Sequence, residues 1–176
     1  MMQPPQGHFF AQDETEFNEL LSLMMGSNSV LEIGSRYGES LKRFAGNTHS
    51  GSRIVSVDLG YCVDSGERSA PWLYKVMGEI AEERDPYLFI GDSHDPSIVK
   101  SVKELGPYDF VFIDGDHSKE GVLLDWMHYG PMGKMVAFHD CGPRSPVNWL
   151  FKAIDKENKR LIWNEPGGMG IGVIQQ

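Results

Sequence analysis

The chain has 176 residues, with 40% apolar and 23% charged side chains, which suits one globular domain and excludes a fibre or a disordered chain. Sixteen basic against 25 acidic residues give a net charge of −9, which argues against a general nucleic-acid or anionic-membrane partner. No apolar run approaches the ~20 residues of a membrane helix, the first ten residues lack a secretory pattern, and two cysteines, Cys62 and Cys141, give no disulfide framework. A cytoplasmic protein is expected, with homo-oligomerisation left open.

In chain order, residues 1–12 carry Pro4, Pro5 and a His8-Phe9-Phe10 cluster without periodicity and read as a flexible tail that could act as a lid. Residues 13–176 read as one domain. Asp13 and Glu16 form a capping-box-like start, and Phe17, Leu20, Leu21, Met24 and Met25 mark one apolar helix face ending at Gly26-Ser27-Asn28. Buried strands are expected at Val30–Ile33, Ile54–Val57, Tyr87–Ile90, Phe110–Ile113 and Met135–Phe138. Helices are expected near Glu39–Ala45, Pro71–Glu83, Pro96–Leu105, Lys119–Tyr129 and Pro146–Asn158. Leu161–Trp163 and Ile171–Ile174 flank Pro166-Gly167-Gly168 as a hairpin, while Lys156, Lys159 and Arg160 read as a solvated helix end. The fold class is α/β: a doubly wound, Rossmann-like, mostly parallel sheet with an antiparallel hairpin strand at its end.

The first strand ends in Glu32-Ile33-Gly34-Ser35-Arg36-Tyr37-Gly38. Glycines at a strand-to-helix turn let the backbone bend sharply and a ligand come close. The spacing is not G-x-G-x-x-G, and an acid at the strand end suits an ammonium group better than a pyrophosphate, which counts against a nicotinamide-dependent oxidoreductase. Asp58, twenty residues past Gly38, ends the next strand, where an acid can accept both hydroxyls of a ribose. A nucleoside with a cationic amino-acid tail meets these demands, and S-adenosylmethionine is such a molecule.

The segment from Val30 to Ser40 resembles the first motif of class I S-adenosylmethionine-dependent methyltransferases, nearest the small catechol-type O-methyltransferases and the group named after cephalosporin hydroxylase. The resemblance implies methyl transfer to the hydroxyl of a small-molecule acceptor. It implies that Glu32 and Ser40 hold the methionine end, with the turn of Gly34, Ser35, Arg36 and Gly38 passing beneath. Asp58 would bind the ribose, and Asp92 and Ser93, in Gly91-Asp92-Ser93-His94, would face the adenine.

Two further strands end in Asp114-Gly115-Asp116-His117 and His139-Asp140-Cys141, on the same carboxyl edge. Clustered acids raise one another's pKa unless a cation or hydrogen bonds offset the repulsion, and Mg²⁺, or another divalent metal that also takes histidine, is one resolution. The resemblance places metal ligands at Asp114, Asp140 and Cys141. Thiolate suits Mg²⁺ poorly, so His139 is the candidate replacement, and a metal-free site is the alternative. His117 stands where the family has its general-base lysine, and a histidine titrating near neutrality suits that task. Asp114 adjoins both the cofactor and the reacting groups, and His139 is the second candidate base. A metal-dependent oxygenase using His117, His139 and a carboxylate, and a non-catalytic cofactor-binding module, are the rival readings. His94, His128 and Cys62 have no partner identifiable from spacing and are assigned surface or core roles.

Overall fold

The computed structural model describes residues 12–63, 65–164 and 167–176. The expected tail and its His8-Phe9-Phe10 cluster therefore lie outside the described residues, except for Gln12. Helix α1 (Glu14–Met24) precedes strand β1 (Ser29–Ile33), and the chain then alternates: α2 (Glu39–Gly46), β2 (Arg53–Asp58), α3 (Ala70–Ile80), β3 (Asp85–Ile90), α4 (Pro96–Leu105), β4 (Tyr108–Ile113), α5 (Lys119–Tyr129), β5 (Gly133–Phe138) and α6 (Pro146–Ala153). Strands β6 (Lys159–Ile162) and β7 (Ile171–Gln175) close it. The seven strands form one sheet in the order β3-β2-β1-β4-β5-β7-β6, in which β7 runs antiparallel to both of its neighbours. The expected mostly parallel, doubly wound sheet with a terminal antiparallel strand is present. Among the described residues no helix is long and apolar enough to cross a membrane.

Period-two alternation divides the strands between two cores. Val30, Ile54, Phe110, Phe112 and Ala137 pack with α1, α2 and α3 on one face. Leu31, Ile33, Val55, Val111 and Phe138 pack with α4, α5 and α6 on the other. Each central strand is buried on both sides, which is why it reads as an unbroken apolar run. Strand β3 departs from that reading: its residues are only half-buried because it is the sheet edge and lacks a neighbour on one side.

Local chemistry sets the helix starts. Asp13 accepts from the amides of Thr15 and Glu16. Asp95 and Ser145 each cap a helix that opens on proline. Helix α6 ends at Ala153, earlier than expected, and Lys159 and Arg160 open β6 instead of ending a helix. The ammonium of Lys159 donates to the carbonyls of Phe151, Lys152 and Ile154, closing the exposed end of α6 from outside.

Candidate functional site

The order of crossovers reverses between β1 and β4, and there the carboxyl edge opens into a cavity of about 790 Å³. After β1 the backbone turns at Gly34, whose φ is +87°. A Cβ on Gly34 would lie 2.1 Å from the carbonyl oxygen of Asp114, so only glycine lets the exits of β1 and β4 meet. Arg36 and Asp140, the non-glycine residues with positive φ among those described (52° and 56°), both line this cavity. Backbone held in a sparsely populated region is characteristic of functional sites.

Behind the turn sits Glu32, fully buried, with Ser40 Oγ at 2.5 Å from one oxygen and Ser35 Oγ at 2.8 Å from the other. Ser35 gives its one proton to Glu32, so Ser56, 2.7 Å away, donates to Ser35. Burial pushes the Glu32 carboxyl up to about 8, against these serine hydrogen bonds, and Asp114 and Asp58 add to the rise. Glu32, expected to hold the methionine end, is not among the residues that line the cavity. Ser35 and Ser40 line the cavity, and Glu32 stands one layer behind them because both of its oxygens serve the turn.

Asp58 does reach the wall, but much of its capacity is already used. Its Oδ1 accepts from Gly60 N at 2.7 Å and Ser69 Oγ at 3.0 Å, and its Oδ2 from Arg36 N at 2.7 Å. Of about four acceptor positions on a carboxylate, one is left. Asp58 can therefore accept from one further donor, where the expected grip on both ribose hydroxyls needs two. Burial raises its carboxyl above the ordinary range, opposed by the same three hydrogen bonds. The loop after β2 adds Leu59, Tyr61, Cys62 and Val63 to the wall, and Tyr37 ties that loop to the glycine turn through Glu67 at 2.8 Å. Cys62 is thus a cavity residue. So is His94, which lies with Asp92 and Ser93 at the exit of β3.

At the other end, two acids and two imidazoles form one network. His117 Nε2 lies 3.1 Å from Asp114 Oδ1, and His117 Nδ1 lies 2.8 Å from Asp140 Oδ2. His139 Nδ1 lies 3.0 Å from Asp114 Oδ1 and 3.3 Å from Asp140 Oδ1. Gln12 closes the network by donating to Asp114 Oδ2 at 3.0 Å, so the last residue of the expected tail is a site residue. Burial works against ionisation of Asp114, but His139 and His117 outweigh it and hold the carboxyl well below its ordinary range. Hydrogen bonds to Asp114 and Asp140 push the His117 imidazole up to about 10. The expectation that His117 titrates near neutrality therefore fails in the ligand-free protein, because two carboxylates flank it. His139 is raised as well, its burial outweighed by Asp114 and Asp140.

The same network bears on the fit of a metal. Cys141, at the family's third ligand position, has no exposed surface and belongs to the core under α5 and α6. Burial pushes its thiol up to about 12, so it is no thiolate donor. Asp140 Oδ1 and His139 Nε2 are buried without a hydrogen-bond partner. Two such atoms do not make an oxygen-rich Mg²⁺ shell, and the facing carboxylate oxygens already hold imidazoles. Among the described residues no group of three or more His, Cys, Asp or Glu side chains is placed to hold a metal ion. The expected ligand set Asp114, Asp140 and His139 is brought together, but as a hydrogen-bonded network that does not fit a metal centre.

Comparisons with known proteins agree with this layout. A protein-family model described as a methyltransferase domain matches residues 31–141, from the first strand to the end of the histidine–aspartate network. The ribosomal RNA large subunit methyltransferase E of Treponema denticola is 28% identical over 106 residues, 60% of this chain. The chain spans 46% of that relative's length. An O-methyltransferase from Bacillus cereus, solved with S-adenosylhomocysteine, superposes with a TM-score of 0.64 at 17% identity, covering 95% of this chain and 84% of that one. An O-methyltransferase of tomaymycin synthesis from Streptomyces achromogenes, solved with S-adenosylmethionine, gives 0.65 at 15% identity, covering 94% and 81%.

Proposed function

The chain belongs to the methyltransferase-domain family, and from that premise we propose that it transfers the methyl group of S-adenosylmethionine to a hydroxyl oxygen of a small acceptor. One observation carries the reading. Among the described residues, Glu39, Asp58, Asp92, Asp114, Asp116 and Asp140 line a single cavity whose cationic groups are the guanidinium of Arg36 and the imidazoles of His117 and His139, which Asp114 and Asp140 hold, so the acids remain in excess. A cavity so rich in acids favours a ligand that brings its own positive charge, and the sulfonium and ammonium of S-adenosylmethionine are two such charges. The solved O-methyltransferases support the choice of oxygen by likeness of fold.

In the proposed reaction the acceptor oxygen attacks the methyl carbon in line with the departing sulfur. The S–CH₃ bond breaks as the O–CH₃ bond forms, and the hydroxyl proton leaves for the protein. The turn of Gly34 to Gly38 seats the methionine end against Ser35 and Ser40. Asp58 takes one ribose hydroxyl, and Asp92 and Ser93 face the base. His117 receives the proton, with Asp140 fixing its ring and His139 holding Asp114 in place. Before the cofactor enters, Asp114 and Asp140 keep a proton on His117. A cationic ligand beside Asp114 would weaken that hold, so that His117 first releases its own proton to solvent and the neutral imidazole then takes the hydroxyl proton. No step requires a metal ion.

Titration calorimetry with S-adenosylmethionine, followed by transfer of a labelled methyl group to a panel of hydroxyl compounds, tests the reading. Binding together with labelled product is the expected result. No binding at millimolar cofactor overturns it.

A further inference from the structure

Asp125, midway along α5, is a carboxylate with no exposed surface that the transfer step does not use. A buried acid is costly unless its oxygens hold something. Its Oδ1 accepts from Ser93 Oγ at 2.8 Å, and His94 Nε2 stands 3.2 Å from the same oxygen, at ion-pair distance but out of hydrogen-bond alignment. One turn further along α5, the hydroxyl of Tyr129 donates to the Ser93 carbonyl at 2.5 Å. Residues four apart share a helix face, so Asp125 and Tyr129 grip the segment after β3 side by side. The other oxygen of Asp125 has no hydrogen-bond partner and lies under the turn after β4, where a Cβ on Gly115 would sit 3.2 Å from it. Ser93, His94 and Gly115 line the cavity, whereas Asp125 is not part of its wall.

We propose that Asp125 is a positioning residue for the nucleoside end of the methyl donor: it fixes Ser93 and His94 against α5 and so sets the seat on which the purine rests. This rests on the reading of the cavity as an S-adenosylmethionine site. The placement gives the buried acid a purpose, because Asp125 stands between the exits of β3 and β4, the two loops that a bound nucleoside must meet together. Burial raises its carboxyl, and Ser93 and His94 oppose that rise, in keeping with a group held by these two neighbours.

Calorimetric dissociation constants for S-adenosylmethionine and for adenosine, measured with Asp125→Ala, Asp125→Asn and Ser93→Ala, test the proposal. Asp125→Ala weakens both ligands about tenfold, the loss expected for one hydrogen bond to a charged group. Asp125→Asn keeps an oxygen for Ser93 and returns both affinities to within about threefold, a rescue that a merely space-filling role would not need. Ser93→Ala added to Asp125→Ala weakens binding no further, since the two act as one unit. Asp125→Ala with wild-type affinity for both ligands overturns the proposal. Should that variant not fold, wild-type affinity in Ser93→Ala overturns it equally. Failure of the unaltered protein to bind S-adenosylmethionine overturns the reading of the cavity instead, and is seen before any variant is made.

Discussion

His117 Nδ1 and Asp140 Oδ2 lie 2.8 Å apart, joining the turn after β4 to the turn after β5. Hydrogen bonds to Asp114 and Asp140 are what keep this imidazole protonated up to about 10. Removing one carboxylate removes part of that hold, so in Asp140→Asn the imidazole loses its proton at a lower pH. The expected outcome is a methyl-transfer pH–rate profile whose basic-side rise moves down by about one unit, as for loss of one close opposite charge. His117→Ala should lower kcat by about 10²–10⁴. A profile unmoved in Asp140→Asn, or full activity in His117→Ala, refutes the assignment of the base.

Sequence patterns showed the fold well because its strands are covered on both faces, and a fully buried strand announces itself as an apolar run such as Val30-Leu31 or Val111-Phe112. The glycine turn and the strand-end acids were legible for the same reason: they sit at fixed points of that alternation. Sharing among partners was not legible. Spacing says that Asp58 ends a strand, but not that three donors already occupy it. It says that His117 is near acids, but not that two of them flank it. Gln12 and His94 gave no local signal, since their partners Asp114 and Asp125 lie far along the chain, Asp114 102 positions from Gln12. The positive φ of Asp140 had no signal either, because an aspartate there advertises no turn of its own.

Glu16 shows the same limit and yields a prediction. Three residues after Asp13 it looks like the second half of a capping box, which would return to the cap amide. Instead its Oε1 accepts from Asn164 N at 2.7 Å and its Oε2 from Gly170 N at 2.9 Å, fastening the loop between β6 and β7 to α1. Glu16 is buried, so Glu16→Ala strands two amides, at a cost of about 1–3 kcal/mol each where they cannot reach water. Thermal unfolding should show a clear fall in Tm. Glu16→Gln, which keeps one acceptor oxygen, should fall less.

Gly34→Ala should be among the most damaging single changes in the chain. The added methyl would overlap the Asp114 carbonyl at 2.1 Å while φ stays at +87°, so both the contact and the backbone oppose it. A left-handed non-glycine residue alone costs on the order of 1–3 kcal/mol, and separating β1 from β4 opens the cavity floor. Loss of measurable S-adenosylmethionine binding with a lowered Tm is the expected result. Gly51→Ala, also at positive φ but with open space around it, should lower Tm without touching the cofactor. Equal effects of the two on binding would contradict the role given to the turn.

A chelator separates a hydrogen-bonded network from a metal centre. Because Cys141 is a buried thiol and imidazoles already occupy the facing oxygens of Asp114 and Asp140, dialysis against EDTA should leave transfer activity within about twofold, and added Mg²⁺ should not shift Tm. Activity abolished by chelation and restored by Mg²⁺ would show that the network rearranges around an ion.

Three shifted groups set the shape of the pH dependence of stability, and the raised Asp58, Asp125 and His139 act in the same direction as Glu32. Glu32 is raised from 4.5 to about 8, so between those values the native state keeps a proton that the unfolded chain has lost. Its contribution is full below 4.5 and is lost as pH rises through 8. His117, raised from 6.5 to about 10, acts in the same direction: its contribution is full below 6.5 and is lost as pH rises through 10. Its side chain is 41% exposed, so solvent screens its share and Glu32 dominates. Asp114 acts oppositely, since its lowered carboxyl contributes above the ordinary 3.8 and that contribution is lost on acidification. The ligand-free protein should therefore be most stable in mild acid, with Tm falling steadily from about pH 5 to pH 9. Glu32→Gln should flatten the part of that slope below 8, because an amide has no proton to lose. S-adenosylmethionine should flatten it too, by bringing positive charge to the buried carboxylate. Differential scanning calorimetry across this range, with and without cofactor, would refute the assignment if Tm rose from pH 6 to 8 or if Glu32→Gln kept the wild-type slope.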